Sequence, residues 1–158
     1  MFLWFALFVA LLASPAAAEK TFIEFEQDYQ GKELEFLRKY CFEILSLKEY
    51  FQSGHKKLSD LVVALYDVNE DGEDEMLVIL PFGGSGGSDF LVFQKRQGQW
   101  EIIGSNLVTS VWVTGQKVAG YLTLYAPLEG LRWDPARDRY WQFCRNECDY
   151  DGAVQEED

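Results

Sequence analysis

The chain has 158 residues, 48% of them hydrophobic and 16% aromatic, which is ample material for one filled core and argues against extended disorder. Asp and Glu number 26 against 14 Lys and Arg, a net charge of −12. Nucleic acid and anionic lipid both demand clustered Lys and Arg, so neither fits as the main partner; cations, metal ions among them, are favoured.

Residues 1–18 carry no charge, hold an apolar run from Phe2 to Ala13, and end in Ser14-Pro15-Ala16-Ala17-Ala18 before Glu19-Lys20. Small residues at that place suit an export peptidase, so a secretory signal peptide cleaved after Ala18 is expected, although no basic residue stands near the start. The apolar core is short for a spanning helix of ~20 residues, and no later run is long enough to cross a bilayer. Periplasmic or secreted residence follows as an expectation. The division is then 1–18 signal peptide, 19–148 one domain, and 149–158 an acidic tail without apolar periodicity, predicted disordered.

From Glu33 to Phe51, Phe36, Tyr40, Ile44, Leu47 and Phe51 recur at helical steps, widened by Leu37, Cys41 and Leu45. Charged residues fall mostly off that stripe, which predicts an amphipathic helix with one buried face, stopped at Gln52-Ser53-Gly54. Thr21 to Tyr29 is read as a preceding helical turn. Leu61–Tyr66 and Met76–Leu80 are short apolar runs rich in β-formers, hence strands. Pro81 to Ser88 reads as a pliable turn, and Phe90–Phe93 and Trp100–Ile103 as strands about Gln97-Gly98-Gln99. Val108–Val113 and Val118–Tyr125 flank Thr114-Gly115-Gln116, and Leu131–Trp133 and Arg139–Phe143 flank the turn Asp134–Asp138. The fold class expected is α+β: an N-terminal amphipathic helix packed on a mainly antiparallel meander sheet or half-barrel of about seven to eight strands.

Between the first two strands lies Asp67-Val68-Asn69-Glu70-Asp71-Gly72-Glu73-Asp74-Glu75, six carboxylates in nine residues, with no Lys or Arg between Lys57 and Lys95. Oxygen-bearing side chains at the first, third, fifth and ninth places, with glycine at the sixth, suit a backbone wrapped round a hard cation with oxygen ligands. An EF-hand needs a bidentate Glu at the twelfth place; here that place is Val78, inside an apolar run. Glu75 has to close the loop instead. Read without a cation, the stretch is an acidic surface turn, but one with strong repulsion among its carboxylates.

The Asp-x-Asn-x-Asp-Gly-x-x-Glu pattern between two strands resembles the calcium loops of FG-GAP-type repeats in integrin-like propellers and bacterial surface proteins. The resemblance covers this loop and its strand flanks in a single copy, so it extends to the loop and not to a propeller. It implies Ca²⁺ held by Asp67, Asn69, Asp71 and Glu75 side chains with the Glu73 carbonyl as a fifth donor. No whole-chain family is recognised.

Three cysteines follow the leader. In an oxidising compartment Cys144 and Cys148 could pair, or Cys41 could tie the helix to the C-terminal segment; spacing does not choose. His55, the only histidine, has no partner at a metal spacing and reads as a loop residue. Gly83–Ser88 lacks the Gly-Lys-Ser/Thr ending of a phosphate loop. No catalytic residues or organic cofactor are assigned, because neither a nucleophile elbow nor a cysteine-hydrolase context is present. Trp112, Tyr121, Tyr125, Trp133, Tyr140 and Trp141 could supply an aromatic surface for carbohydrate or protein, though alternation along strands puts half of them in the core.

The function expected is an exported, calcium-binding, non-catalytic binding or structural module of the cell envelope, whose partners besides calcium are a cationic protein or an envelope component. Two alternatives belong to other classes: a secreted inhibitor of a cationic, lysozyme-like enzyme, steered by the negative surface, and a small envelope glycan hydrolase working with a carboxylate pair.

Overall fold

A computed structural model describes residues 19–45, 52, 57–84, 87–127 and 129–144. Residues 1–18, read above as a leader, lie outside the described residues, as do His55, Cys148 and the acidic tail. Strands account for 50% of the described residues and helix for 13%. Eleven strands form three antiparallel sheets among the described residues.

The first sheet is a meander of β2 (Val62–Tyr66), β3 (Glu75–Gly84), β4 (Gly87–Arg96) and β5 (Gln99–Val108), in that order. The second has five strands in the order β1 (Thr21–Phe22), β6 (Trp112–Val113), β9 (Leu124–Tyr125), β10 (Glu129–Asp134) and β11 (Arg139–Cys144). A ribbon of β7 (Lys117–Val118) and β8 (Tyr121–Leu122) turns at Ala119 and Gly120, both at positive φ.

The middle strands are apolar on both sides because both faces of the first sheet are covered, which is why they read as continuous runs rather than alternating ones. Leu77, Phe90, Val92 and Ile103 face the second sheet and merge with Val113, Leu124, Leu131, Trp133 and Tyr140 in one core. Met76, Val78, Leu80, Leu91 and Phe93 face the other way and pack with Leu37 and Cys41 of the helix. A side chain on Gly104 of β5 would come within 2.7 Å of Tyr140 Cβ on β11, so glycine there permits the close approach of the two sheets.

The expected α+β class is overturned: the protein is mostly β, and no long N-terminal helix lies on a sheet. Helix α1 (Leu34–Lys39) passes into a π turn over Tyr40–Ile44, where the Leu45 N–H bonds the Tyr40 carbonyl. The wider turn shifts the buried line onto Leu37 and Cys41 and leaves Ile44 67% exposed, so the predicted stripe through Ile44 is not the one used. The Phe36 and Tyr40 rings meet Phe93 edge-on at 5.4 and 5.0 Å. Residues 46–51 of the predicted helix lie outside the described residues.

Further corrections come from tertiary pairing. Thr21–Phe22 is not a helical turn but a strand on β6, and Glu26 bridges Val63 at the edge of the first sheet. Pro81 to Ser88 is largely strand, since β3 runs through Gly84 with a register irregularity after Ile79. Val118–Tyr125 is split among three strands rather than one.

Candidate functional site

The ladder between β2 and β3 ends at the pair Tyr66 and Glu75, which closes the neck of the acidic loop. Within the loop the short acidic side chains bond the backbone that follows them, as Asp and Asn do in tight turns. Asp67 accepts from the amides of Asp71 at 3.1 Å and Gly72 at 2.9 Å. Asn69 Oδ1 accepts from the Asp71 amide at 3.0 Å, and Asp71 Oδ1 from the Glu73 amide at 2.8 Å. Gly72, at φ 89°, supplies the left-handed step that aims these amides inward. The same residue types and spacing that suggested a wrapped cation therefore build a compact turn.

Glu75 stands apart from its neighbours. Alternation along β3 puts it on the core side with Leu77, and it is 2% exposed. Its Oε2 accepts from the Val68 amide at 2.9 Å, and its Oε1 from Gln94 Nε2 at 3.1 Å. Burial pushes its carboxyl up to about 7, with the Asp71 and Asp67 charges adding to that and the two hydrogen bonds opposing it. The Asn69 side-chain amide sits between two acids, donating to Asp71 Oδ2 at 2.9 Å and to Glu75 Oε1 at 3.4 Å. One neutral donor is thus shared by two carboxylates, and among the described residues Lys117 is ion-paired to the loop at Glu70.

Of the five expected donors, Asp67, Asn69, Asp71 and Glu75 are brought to one loop, with Glu75 turned inward onto the core and Glu73 exposed. Among the described residues no three His, Cys, Asp or Glu side chains converge closely enough to hold a metal ion. Asp67 commits both oxygens to backbone amides, and Glu75 commits its two to Val68 and Gln94. In chemistry the set still fits a hard cation, since every donor is oxygen and each carboxylate oxygen keeps a further lone pair.

Gln94 is the residue beside the loop that sequence reading missed. Its Nε2 joins Glu75 to the Tyr121 hydroxyl at 3.0 Å, and its Oε1 accepts from Arg96 Nε at 2.9 Å. Arg96 in turn meets Asp138 of the β10–β11 turn at 2.7 Å. The available signal was a polar residue directly following the apolar run Phe90–Phe93, as Glu75 directly precedes the run Met76–Leu80.

Cys41 is a free, buried thiol rather than half of a bridge, and burial pushes its ionisation up to about 11. A Cys144–Cys148 bridge involves Cys148, which lies outside the described residues. Clefts beside β5 and β11 hold one carboxylate, Asp89, between them. No helix among the described residues is long and apolar enough to cross a membrane. Comparison with protein-family models, with curated proteins and with solved structures finds no match.

Proposed function

We propose that the protein is an exported module whose β2–β3 hairpin is made rigid by a calcium ion, with no chemistry performed at that loop. The observation that carries this reading is the Asn69 amide, a single neutral donor held between the Asp71 and Glu75 carboxylates in a loop of concentrated negative charge. Asp67, Asn69 and Asp71 side chains and the Glu73 carbonyl would hold the ion, with Glu75 closing the set from the core side. Bound calcium would supply the positive charge that the loop's own residues lack. The buried Glu75 supports a structural role, because its carboxylate is enclosed by β4 and cannot meet a substrate without unfolding the hairpin.

Apparent affinity should be modest, about 10⁻⁴ to 10⁻³ M, as in other extracellular modules. The test is a pair of thermal melts, in millimolar Ca²⁺ and in chelator, on wild type and Asp71→Ala. The reading expects wild type to melt higher in calcium and Asp71→Ala to melt at one temperature in both. Identical wild-type curves in the two buffers sink it.

A further inference from the structure

We infer that the outer face of the β10–β11 hairpin is a docking surface for an acidic polysaccharide, a chain of neutral and carboxylate-bearing sugar rings. The inference names a partner class for the binding-module reading and does not depend on calcium.

Strand alternation sorts the aromatic residues of the C-terminal half into two sets. Trp133 and Tyr140 turn inward, where Tyr121 stacks on Trp133 at 3.6 Å between ring centroids. The other set faces outward. Along β11 the residues Arg139, Trp141 and Phe143 alternate with the core residue Tyr140 and so share the outer side, and Arg132 of β10 stands directly opposite Trp141. Gly130 opposes Phe143, and a Cβ there would come within 2.6 Å of the Phe143 ring, so the absent side chain lets that ring cross β10 and meet Tyr125 edge-on at 5.9 Å. Trp141 remains 54% exposed. The result is a run of ring surface along β11, with Arg132 and Gly130 of β10 beside it.

Cations are seated on the same rings. The Arg137 guanidinium lies 4.4 Å from the centre of the Trp141 ring, and that of Arg132 5.4 Å from Phe143. Arg137 is ion-paired to Asp134, but among the described residues Arg132 and Arg139 have no carboxylate partner. That is unexpected in a chain where acids outnumber bases 26 to 14. Two unpaired guanidiniums beside an exposed indole are positioned for an anion flanked by apolar surface, and a guanidinium binds a carboxylate bidentately.

Charge density decides among anionic partners. A nucleic acid or an anionic bilayer presents charge so densely that it would be repelled by the remainder of a protein of net charge −12. A polysaccharide with one carboxylate per two rings places its charges far enough apart to meet the arginines singly. Its sugar rings offer C–H faces that lie against Trp141 and Phe143, with hydroxyls left at the rim in water. An acidic polypeptide has the charge but no flat apolar face of that kind.

The experiment is affinity electrophoresis of the full chain, in chelator, through gels containing hyaluronan, dextran or poly-glutamate. Hyaluronan should retard the wild type, dextran should do so much less, and Trp141→Ala should weaken the retardation roughly tenfold, as expected for the loss of a central aromatic contact. Arg132→Gln with Arg139→Gln should weaken it severalfold and flatten its salt dependence. Trp141→Phe should retain part of it, and melting curves confirm that each variant is folded. Absence of retardation by hyaluronan, equal retardation of Trp141→Ala, or stronger retardation by poly-glutamate than by hyaluronan overturns the inference. Because no calcium is present, failure here leaves the calcium reading standing, and the calcium melts can fail without touching this one.

Discussion

The acidic loop and the β10–β11 turn answer the same problem in two ways. Both connect antiparallel strands and both use Asp side chains to bond the backbone that follows. In the β10–β11 turn Asp134 accepts from the Ala136 amide at 2.9 Å and is ion-paired to Arg137, while Asp138 meets Arg96. The Arg137 hydrogen bond, followed by those from the backbone, holds the Asp134 carboxyl below its usual range. Each acid of that turn carries its own cation. In the acidic loop the donors are backbone amides and the Asn69 and Gln94 side chains, all neutral, and among the described residues Lys117 pairs with Glu70. A turn that carries its counter-charges is complete by itself; a turn that satisfies its hydrogen bonds but not its charge is sensitive to what the solvent supplies.

The largest effect that would sharpen this contrast is at the base of the loop. Glu75→Ala leaves the Val68 amide and the Gln94 side chain without their buried acceptor, and should cost about 2–4 kcal/mol in denaturant unfolding. A loss below about 1 kcal/mol would mean that the carboxylate is not the loop's anchor. Calcium comes next. At 10 mM Ca²⁺ and the affinity expected above, binding should stabilise wild type by about 1.4 to 2.7 kcal/mol. The same ion should leave Asp134→Asn and wild type equally shifted, because the β10–β11 turn is already neutralised.

The pH dependence follows from Glu75. Its folded pKa, about 7, lies above the ordinary value of 4.5, so between these values the folded state binds more protons than the unfolded. Its contribution to stability is therefore fully present below about pH 4.5 and is lost as pH rises through about 7. In chelator, wild type should lose about 1–3 kcal/mol more than Glu75→Gln between pH 5 and pH 7.5. Calcium, which favours the carboxylate, should reduce that difference. Equal slopes for the two proteins would show that the acid titrates normally. The smallest effect is at the surface: Lys117→Ala should lower stability in chelator by about 0.2–1 kcal/mol, since the pair is exposed and screened by salt. It should also increase the gain on adding calcium, by removing the competing cation at Glu70.

Much of the strand content was readable from local signals. Leu61–Tyr66, Met76–Leu80, Phe90–Phe93 and Trp100–Ile103 each lie largely within an observed strand, because short runs of β-branched and aromatic residues bounded by turn formers admit few other structures. The turn at Asp134–Asp138 and the neck of the acidic loop were legible for the same reason. The helix was misjudged because periodicity records which residues are apolar, not where a π turn will rotate the stripe. Thr21–Phe22 became a strand only through pairing with Trp112–Val113, some ninety residues away in sequence. Propensity carries no information about a partner that distant.

By itself, then, the sequence determined the composition of the acidic loop, its place between two strands, and the choice of donors able to meet a hard cation. Tertiary structure decided which of those donors is buried, since Glu75 faces the core only because a second sheet covers that side of β3. It also decided which aromatic rings are core and which are surface. Alternation says that neighbouring residues of β11 face opposite ways; only the packing of two sheets says that Tyr140 is inside and Trp141 is out. Local chemistry is written residue by residue, whereas burial belongs to pairs of surfaces that the chain brings together from a distance.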